Sequence, residues 1–209
     1  MTSIRSRLKE YKDTVKLVIF TLDIAAQHYP ILTFVENLPH DAIYLLPCPT
    51  SLGGVVIVCS NTVIYVDRSS RRVALPTNGW SSRISDISLL PADPIQTLFL
   101  EGSQSVFVDD KTFFLILKNG TVYPIEIVMD GKTVSTLTMS PPLAQTSIPS
   151  IVRNIGKDHI FIGSTVGPSV LLKAARVQEE VEEDEVDIAP AAVVQEDYIM
   201  EYDEEDDGS

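Results

Sequence analysis

Apolar positions along the chain fall in short runs broken by turn residues, and no long stretch repeats them at helical spacing. Residues 55–58 and 63–65 are β-branched or aromatic, types that suit a pleated, half-buried surface, and Ser60-Asn61 lies between them. The pattern predicts a hairpin in which Asn61 supplies a turn residue tolerant of left-handed φ. Gly53-Gly54 at its entry permits backbone approaches that a Cβ would block. A second hairpin is predicted over residues 112–127 around Asn119-Gly120, the strongest short-range hairpin signal. A third covers residues 159–173 and turns near Val166-Gly167. Further strand-like runs occupy residues 15–23, 31–35, 42–46, 97–100, 105–108, 148–154 and, beyond a tight turn at Asp130-Gly131, 133–139. Residues 80–94 read as a polar loop rich in Ser and Pro, and residues 4–16 as a short frayed helix at most.

The spacing between hairpin turns decides the architecture. Asn61 and Asn119 are 58 residues apart, and Gly120 and Gly167 are 47 apart. Periods of roughly 40 to 50 residues with about four strands each belong to β-propeller blades. Residues 103–140, with turns at Asp109-Asp110, Asn119-Gly120 and Asp130-Gly131, are the cleanest blade. A β-sandwich has similar short turn intervals but leaves the larger repeat unexplained. Propellers close with roughly four to eight blades, and this chain holds strands for about three. The predicted fold class is therefore all-β, an incomplete propeller arc of antiparallel blades. Residues 1–14 are expected to be poorly ordered or briefly helical, 15–177 to form the arc, and 178–209 to be an acidic disordered insertion. The incomplete arc also suggests a fragment of something larger, which by itself would expose strand edges at both ends.

Charge sharpens this division. The segment 178–209 holds 15 of the 29 acidic residues and no Lys or Arg, so the net charge of -13 resolves into -15 there and +2 in residues 1–177. The body lacks the basic excess of a domain that binds nucleic acid through phosphate neutralisation alone. The acidic segment repels itself and has little apolar surface to bury, which predicts a solvated linker. Tyr198, Ile199, Met200 and Tyr202 stand out within it as a candidate segment for docking on a basic, partly apolar partner.

Reactive chemistry is harder to find. Cys48 and Cys59 form no C-x-x-C pair and sit in apolar strand context, where a buried reduced thiol acts as a small hydrophobe. His28, His40 and His159 are scattered, and no H-E-x-x-H, G-x-S-x-G or phosphate-cradling glycine loop occurs. Asp109-Asp110 is explained by a turn between strands. No catalytic, metal-binding or cofactor-binding residue is predicted. The run 15–26 is interrupted by Lys16 and Asp23 and is too short to span a bilayer, which points to a soluble, intracellular protein without a membrane partner.

Several stretches together carry a family resemblance. Y-P-I-L-T-F-V-E-N-L-P-H-D-A-I-Y-L-L-P-C-P-T-S-L-G-G-V-V-I-V-C-S-N-T-V-I-Y-V-D leads to V-A-L-P-T-N-G; F-F-L-I-L-K-N-G-T-V-Y-P-I-E-I-V-M-D-G-K-T-V and I-F-I-G-S-T-V-G-P-S-V-L-L-K come later. Over roughly residues 10–175 the chain resembles the large (A) subunit of the cleavage and polyadenylation specificity factor. Two paralogues, the large damaged-DNA-binding adaptor and a large spliceosomal subunit, share the looser P-x-P-x-x-x-G-G pattern. Family members have Arg-Leu-Gly at Thr165-Val166-Gly167 and Asp or Asn at Pro168, departures confined to one turn. The resemblance implies the end of the first of three seven-bladed propellers in a nuclear, non-enzymatic scaffold of pre-mRNA 3′-end formation. Its partners would be other subunits of the cleavage and polyadenylation complex, with pre-mRNA met mostly indirectly and no cofactor or small-molecule substrate. An adaptor of either paralogous type, or a truncated piece without function of its own, is the alternative.

Overall fold

The computed structural model describes residues 12–92, 97–156, 159–178 and 196–202, without the side chains of 175–178 and 196–202. Its strands form four antiparallel sheets in chain order. A two-stranded hairpin, β1 (Val15–Phe20) and β2 (Ile31–Leu38), precedes a four-stranded sheet of β3 (Ala42–Pro47), β4 (Val55–Cys59), β5 (Thr62–Val66) and β6 (Arg72–Pro76). One helical turn, α1 (Ser81–Ile84), precedes β7 (Gln104–Phe107), β8 (Thr112–Ile116), β9 (Thr121–Asp130) and β10 (Thr133–Met139), with the short β11 (Ala144–Gln145) added beside β9. The last sheet orders β12 (Ile151–Asn154), β13 (His159–Gly163), β14 (Val170–Gln178) and β15 (Glu196–Tyr202). Apart from β11, every strand of the three larger sheets pairs with a sequence neighbour, and none of these sheets closes on itself. This is the meander of propeller blades in an incomplete arc.

Strand residues of the middle sheets are apolar in continuous runs because both faces are covered. Along β4 and β5, Val56, Val58, Val63 and Tyr65 face Phe113, Leu115, Ile125 and Ile127 of the next sheet. Their neighbours Val55, Ile57, Cys59, Ile64 and Val66 point the other way, onto Leu17, Val35 and Leu38 of the β1–β2 hairpin. The same division recurs on β8. Phe113 and Leu115 face back, whereas Phe114 and Ile116 meet Val152, Ile160, Ile162 and Leu172 of the last sheet. Strand period two thus assigns alternate residues to two different cores. In β10 a register irregularity between Val134 and Thr136 lets Val134 and Leu137, three residues apart, enter one core. Tyr44 ties neighbouring sheets together, its Oη lying 2.7 Å from Ser105 Oγ.

The glycine pair has a steric cause. Gly53 and Gly54 take φ of +71° and +77°, and a Cβ on Gly54 would lie 2.3 Å from the Val66 carbonyl oxygen. The Tyr65 hydroxyl donates to the Gly53 carbonyl at 3.2 Å, fixing the loop over the end of β5. At Asn119-Gly120 the glycine alone is left-handed, and the Asn119 carboxamide oxygen accepts from the Thr121 N–H at 3.1 Å. Asn61 departs from expectation. The non-glycine residues with positive φ among those described are Asp13, Gln27, Asn37 and Ser70, so Asn61 serves its turn through side-chain hydrogen bonds.

Other differences also have local reasons. Strand β6 was not anticipated because it opens on Arg72 and closes on Pro76, and β11 is only two residues long. Residues 97–100 join no ladder. Lys12 and Asp13 form a turn and β1 begins at Val15, so the frayed helix does not extend over 12–16; residues 1–11 lie outside the described residues. Within the stretch expected to lack order, Glu196–Tyr202 is strand β15, paired with the edge of β14 from Gln178↔Glu196 to Leu172↔Tyr202. An unpaired strand edge supplies the backbone partners that a lone acidic segment lacks. Residues 179–195 and 203–209 of that segment lie outside the described residues.

Gly54→Ala should destabilise the fold by roughly 2 kcal/mol or more, since it meets both a left-handed backbone and a backbone oxygen. Gly79→Ala, where an added Cβ has nothing within 4 Å, should change stability by no more than about 0.5 kcal/mol. Urea denaturation of the two variants against wild type measures the difference.

Candidate interaction surfaces

A buried polar bridge joins the β4–β5 turn to the segment after α1. The Asn61 carboxamide donates to Asp41 Oδ2 at 2.7 Å and accepts from Asn78 Nδ2 at 3.0 Å. Asn78 Nδ2 also donates to the Leu98 carbonyl at 2.6 Å, and its Oδ1 accepts from the Trp80 N–H at 2.9 Å. Ser81 Oγ donates to the carbonyls of Asn61 and Asn78. Thr77 and Leu98 exchange backbone and hydroxyl bonds at 2.8 and 3.0 Å, and the Leu100 N–H donates to the Ser60 carbonyl at 2.9 Å. Asn61, Thr77, Asn78 and Ser81 are all buried, so these bonds satisfy groups that would otherwise be costly to desolvate. They replace a ladder for residues 97–100.

This scaffold holds an open cleft lined by Asn78, Gly79, Trp80, Arg83, Thr97 and Phe99. Trp80 and Phe99 are 51% and 58% exposed, and the Arg83 guanidinium carbon lies 4.9 Å from the Trp80 ring centroid. The Asn78-Gly79 dipeptide marks a turn here, but nothing in the sequence marks a cleft. A lone tryptophan in an otherwise polar loop is the one hint.

Both ends of the arc present apolar sheet faces. On the last sheet Ile151, Phe161 and Leu171 are exposed, with Phe161 and Leu171 directly paired and Ile151 opposite Gly163. On the hairpin, Val18, Phe20 and Phe34 face outward, and Val18 pairs with Phe34. The hairpin has two strands where the sheet beneath it has four, so Ile43 and Leu45 of β3 are left exposed. An open apolar cavity of about 210 Å³, bordered by Val15, Leu17, Leu38 and Ile57, marks this uncovered ground.

The docking residues expected from sequence all lie on β15. Their Cα partners on β14 are Arg176 for Tyr198, Ala175 for Ile199, Ala174 for Met200 and Leu172 for Tyr202. They therefore belong to the last sheet and are remote in the chain order from the Trp80 cleft. His28 pairs with Asp23 in an isolated bridge, and His159 begins β13. Among the described residues no three His, Cys, Asp or Glu side chains are placed to share a metal ion, and no helix is long and apolar enough to cross a membrane. Asp109 accepts from the N–H groups of Lys111 and Thr112 at 2.7 and 2.6 Å, completing the β7–β8 turn.

Cys48 and Cys59 are free thiols. Burial pushes Cys59 up to about 12, with the negative charge of Asp41 adding to the effect, and burial raises Cys48 to about 12 as well, against a hydrogen bond with the Val56 backbone. Neither is activated as a thiolate at neutral pH.

These features define a class: an arc of face-packed antiparallel blades with surfaces left open at its two ends and beside α1. The model of the RSE1/DDB1/CPSF1 first beta-propeller matches residues 7–196, and the chain belongs to this family. Among curated proteins it is 30% identical to Protein CFT1 of Yarrowia lipolytica over 167 residues, covering 78% of this chain and 13% of that protein. It is 28% identical to cleavage and polyadenylation specificity factor subunit 1 of Arabidopsis thaliana, covering 77% of this chain and 11% of the relative. Identity to Protein cft1 of Schizosaccharomyces pombe is 29%, over 84% of this chain and 13% of the relative. The chain thus spans only 11–13% of the length of these relatives.

Asn78→Ala removes the partner of Asn61 Oδ1 and of the Trp80 N–H and leaves the Leu98 carbonyl with the Thr77 hydroxyl alone, and should cost about 2–3 kcal/mol in a denaturant titration. Both cysteines should resist a thiol-specific reagent at pH 8 until denaturant is added. The unfolded thiols release their protons near 9.0, whereas the folded ones hold them to about 12. Their contribution to stability is therefore complete below pH 9 and lost as pH rises from there toward 12; urea midpoints across that window measure it.

Proposed function

We propose that this propeller piece is a non-enzymatic scaffold module of the nuclear pre-mRNA 3′-end cleavage and polyadenylation complex, arranging the subunits that recognise the polyadenylation signal. The observation that carries this reading is the similarity to the CFT1 and cleavage-and-polyadenylation relatives, which extends over 77–84% of the chain. Its architecture is suited to the role. Blades packed into a continuous arc hold several surfaces at fixed relative positions, and the apolar faces of Ile151, Phe161 and Leu171 and of Val18, Phe20 and Phe34 offer area for further protein. The β15 residues Tyr198, Ile199, Met200 and Tyr202 form a second docking element in this scheme, and pre-mRNA is met mainly through partner subunits.

Affinity purification of the tagged protein from nuclear extract, followed by mass spectrometry, should recover the subunits that read the polyadenylation signal. Recovery with a cullin-type ubiquitin ligase or with spliceosomal subunits in their place would overturn the assignment in favour of a paralogous adaptor. Replacing Tyr198, Ile199, Met200 and Tyr202 together by Ser should reduce that recovery without loss of the arc's circular dichroism spectrum; unchanged recovery would remove β15 as a docking element.

A further inference from the structure

Trp80, Phe99 and Arg83 gather on the surface beside the β4–β5 turn, supported from below by the Asn61–Asn78 bridge. Two large aromatic side chains more than half exposed lose the benefit of burial, yet the scaffold that presents them is buried and hydrogen-bonded through Thr77 and Asn78. The opening between them measures about 380 Å³, within the range of small-ligand sites. Its walls are preorganised: Asn78 fixes the Trp80 backbone and the Leu98 carbonyl with one side chain. Gly79 adds no Cβ to the rim, and nothing stands within 4 Å of where one would be.

Arg83 selects the occupant. Its guanidinium lies over the Trp80 ring at 4.9 Å and forms no ion pair among the described residues. A proline-rich peptide would use the aromatic rings but leave this cation without a counterpart. A nucleotide uses both, since every base has a π face for the rings and its neighbouring phosphate is negative. One cation and two rings match one nucleotide of an unpaired strand, a local site that a body of near-neutral charge can hold without a basic stripe.

We propose that the Trp80–Phe99 cleft stacks one unpaired base of a single-stranded RNA while Arg83 meets the adjoining phosphate. The inference rests on the RNA-processing role proposed above and adds one direct RNA contact to it. The chain contains a single tryptophan, so its tryptophan fluorescence, excited selectively over the seven tyrosines, reports this cleft. Titrating the 209-residue chain with short oligouridylate or oligoadenylate at low salt should quench that fluorescence saturably. Phe99→Ala, at an exposed position, should weaken binding roughly tenfold. Arg83→Gln should weaken it and flatten its salt dependence. Absence of quenching, or quenching unchanged in Phe99→Ala, would overturn the proposal. So would quenching by a neutral proline-rich peptide with none by RNA, which would make the cleft a protein-docking site. The scaffold role fails separately, through the wrong partners in the affinity purification, because Phe99→Ala leaves the apolar end faces and β15 unchanged.

Discussion

Every sheet in this molecule needs a cover on each face, and that requirement governs the rest. Fully burying one Val, Leu, Ile or Phe side chain contributes about 1.5–3 kcal/mol, and the central strands place such residues on both sides without interruption. A sheet of this composition cannot stand alone in water. It gains stability only as a layer between others, which is why β4, β5 and β8 are buried along their whole length. The outermost faces show the rule by exception, since among the described residues Phe34 at one end and Phe161 at the other have no layer over them.

Close layering fixes the turns and links as well. Chain reversals must stay within the thickness of a blade, and Gly54 and Gly120 sit where a Cβ would run into the carbonyls of Val66 and Thr146. The crossing from one blade to the next cannot be made by strand pairing. Residues 97–100 make it through separate bonds instead, Leu98 to the backbone and hydroxyl of Thr77 and the carboxamide of Asn78, and the Leu100 N–H to the Ser60 carbonyl. Buried polar groups joined in this way define one geometry, because each bond that fails leaves a desolvated partner behind.

Much of the arc was legible in the sequence because strand period, turn residues and blade spacing agree. The four-strand unit predicted over residues 103–140 is the sheet β7–β10, and the hairpins at 55–65 and 112–127 lie where the β-branched runs put them. What escaped depends on distant partners. Strand β6 gains its character from pairing with β5, despite its arginine and proline ends. Strand β15 exists beside β14, a neighbour that an acidic composition does not reveal. Asn61 looked like a left-handed turn residue, yet its contribution comes from Asp41 and Asn78, each 17 or more residues away. The Trp80 cleft was hidden for the same reason: the parts that position it come from the sixties, seventies and nineties of the chain.

Two adjacent residues carry the continuity of the arc. Phe113 and Phe114 are consecutive on β8, and one belongs to the core shared with the preceding sheet while the other belongs to the core shared with the following one. The two interfaces are thus separated by the thickness of a single strand. A displacement of β8 therefore alters the packing of both cores at once.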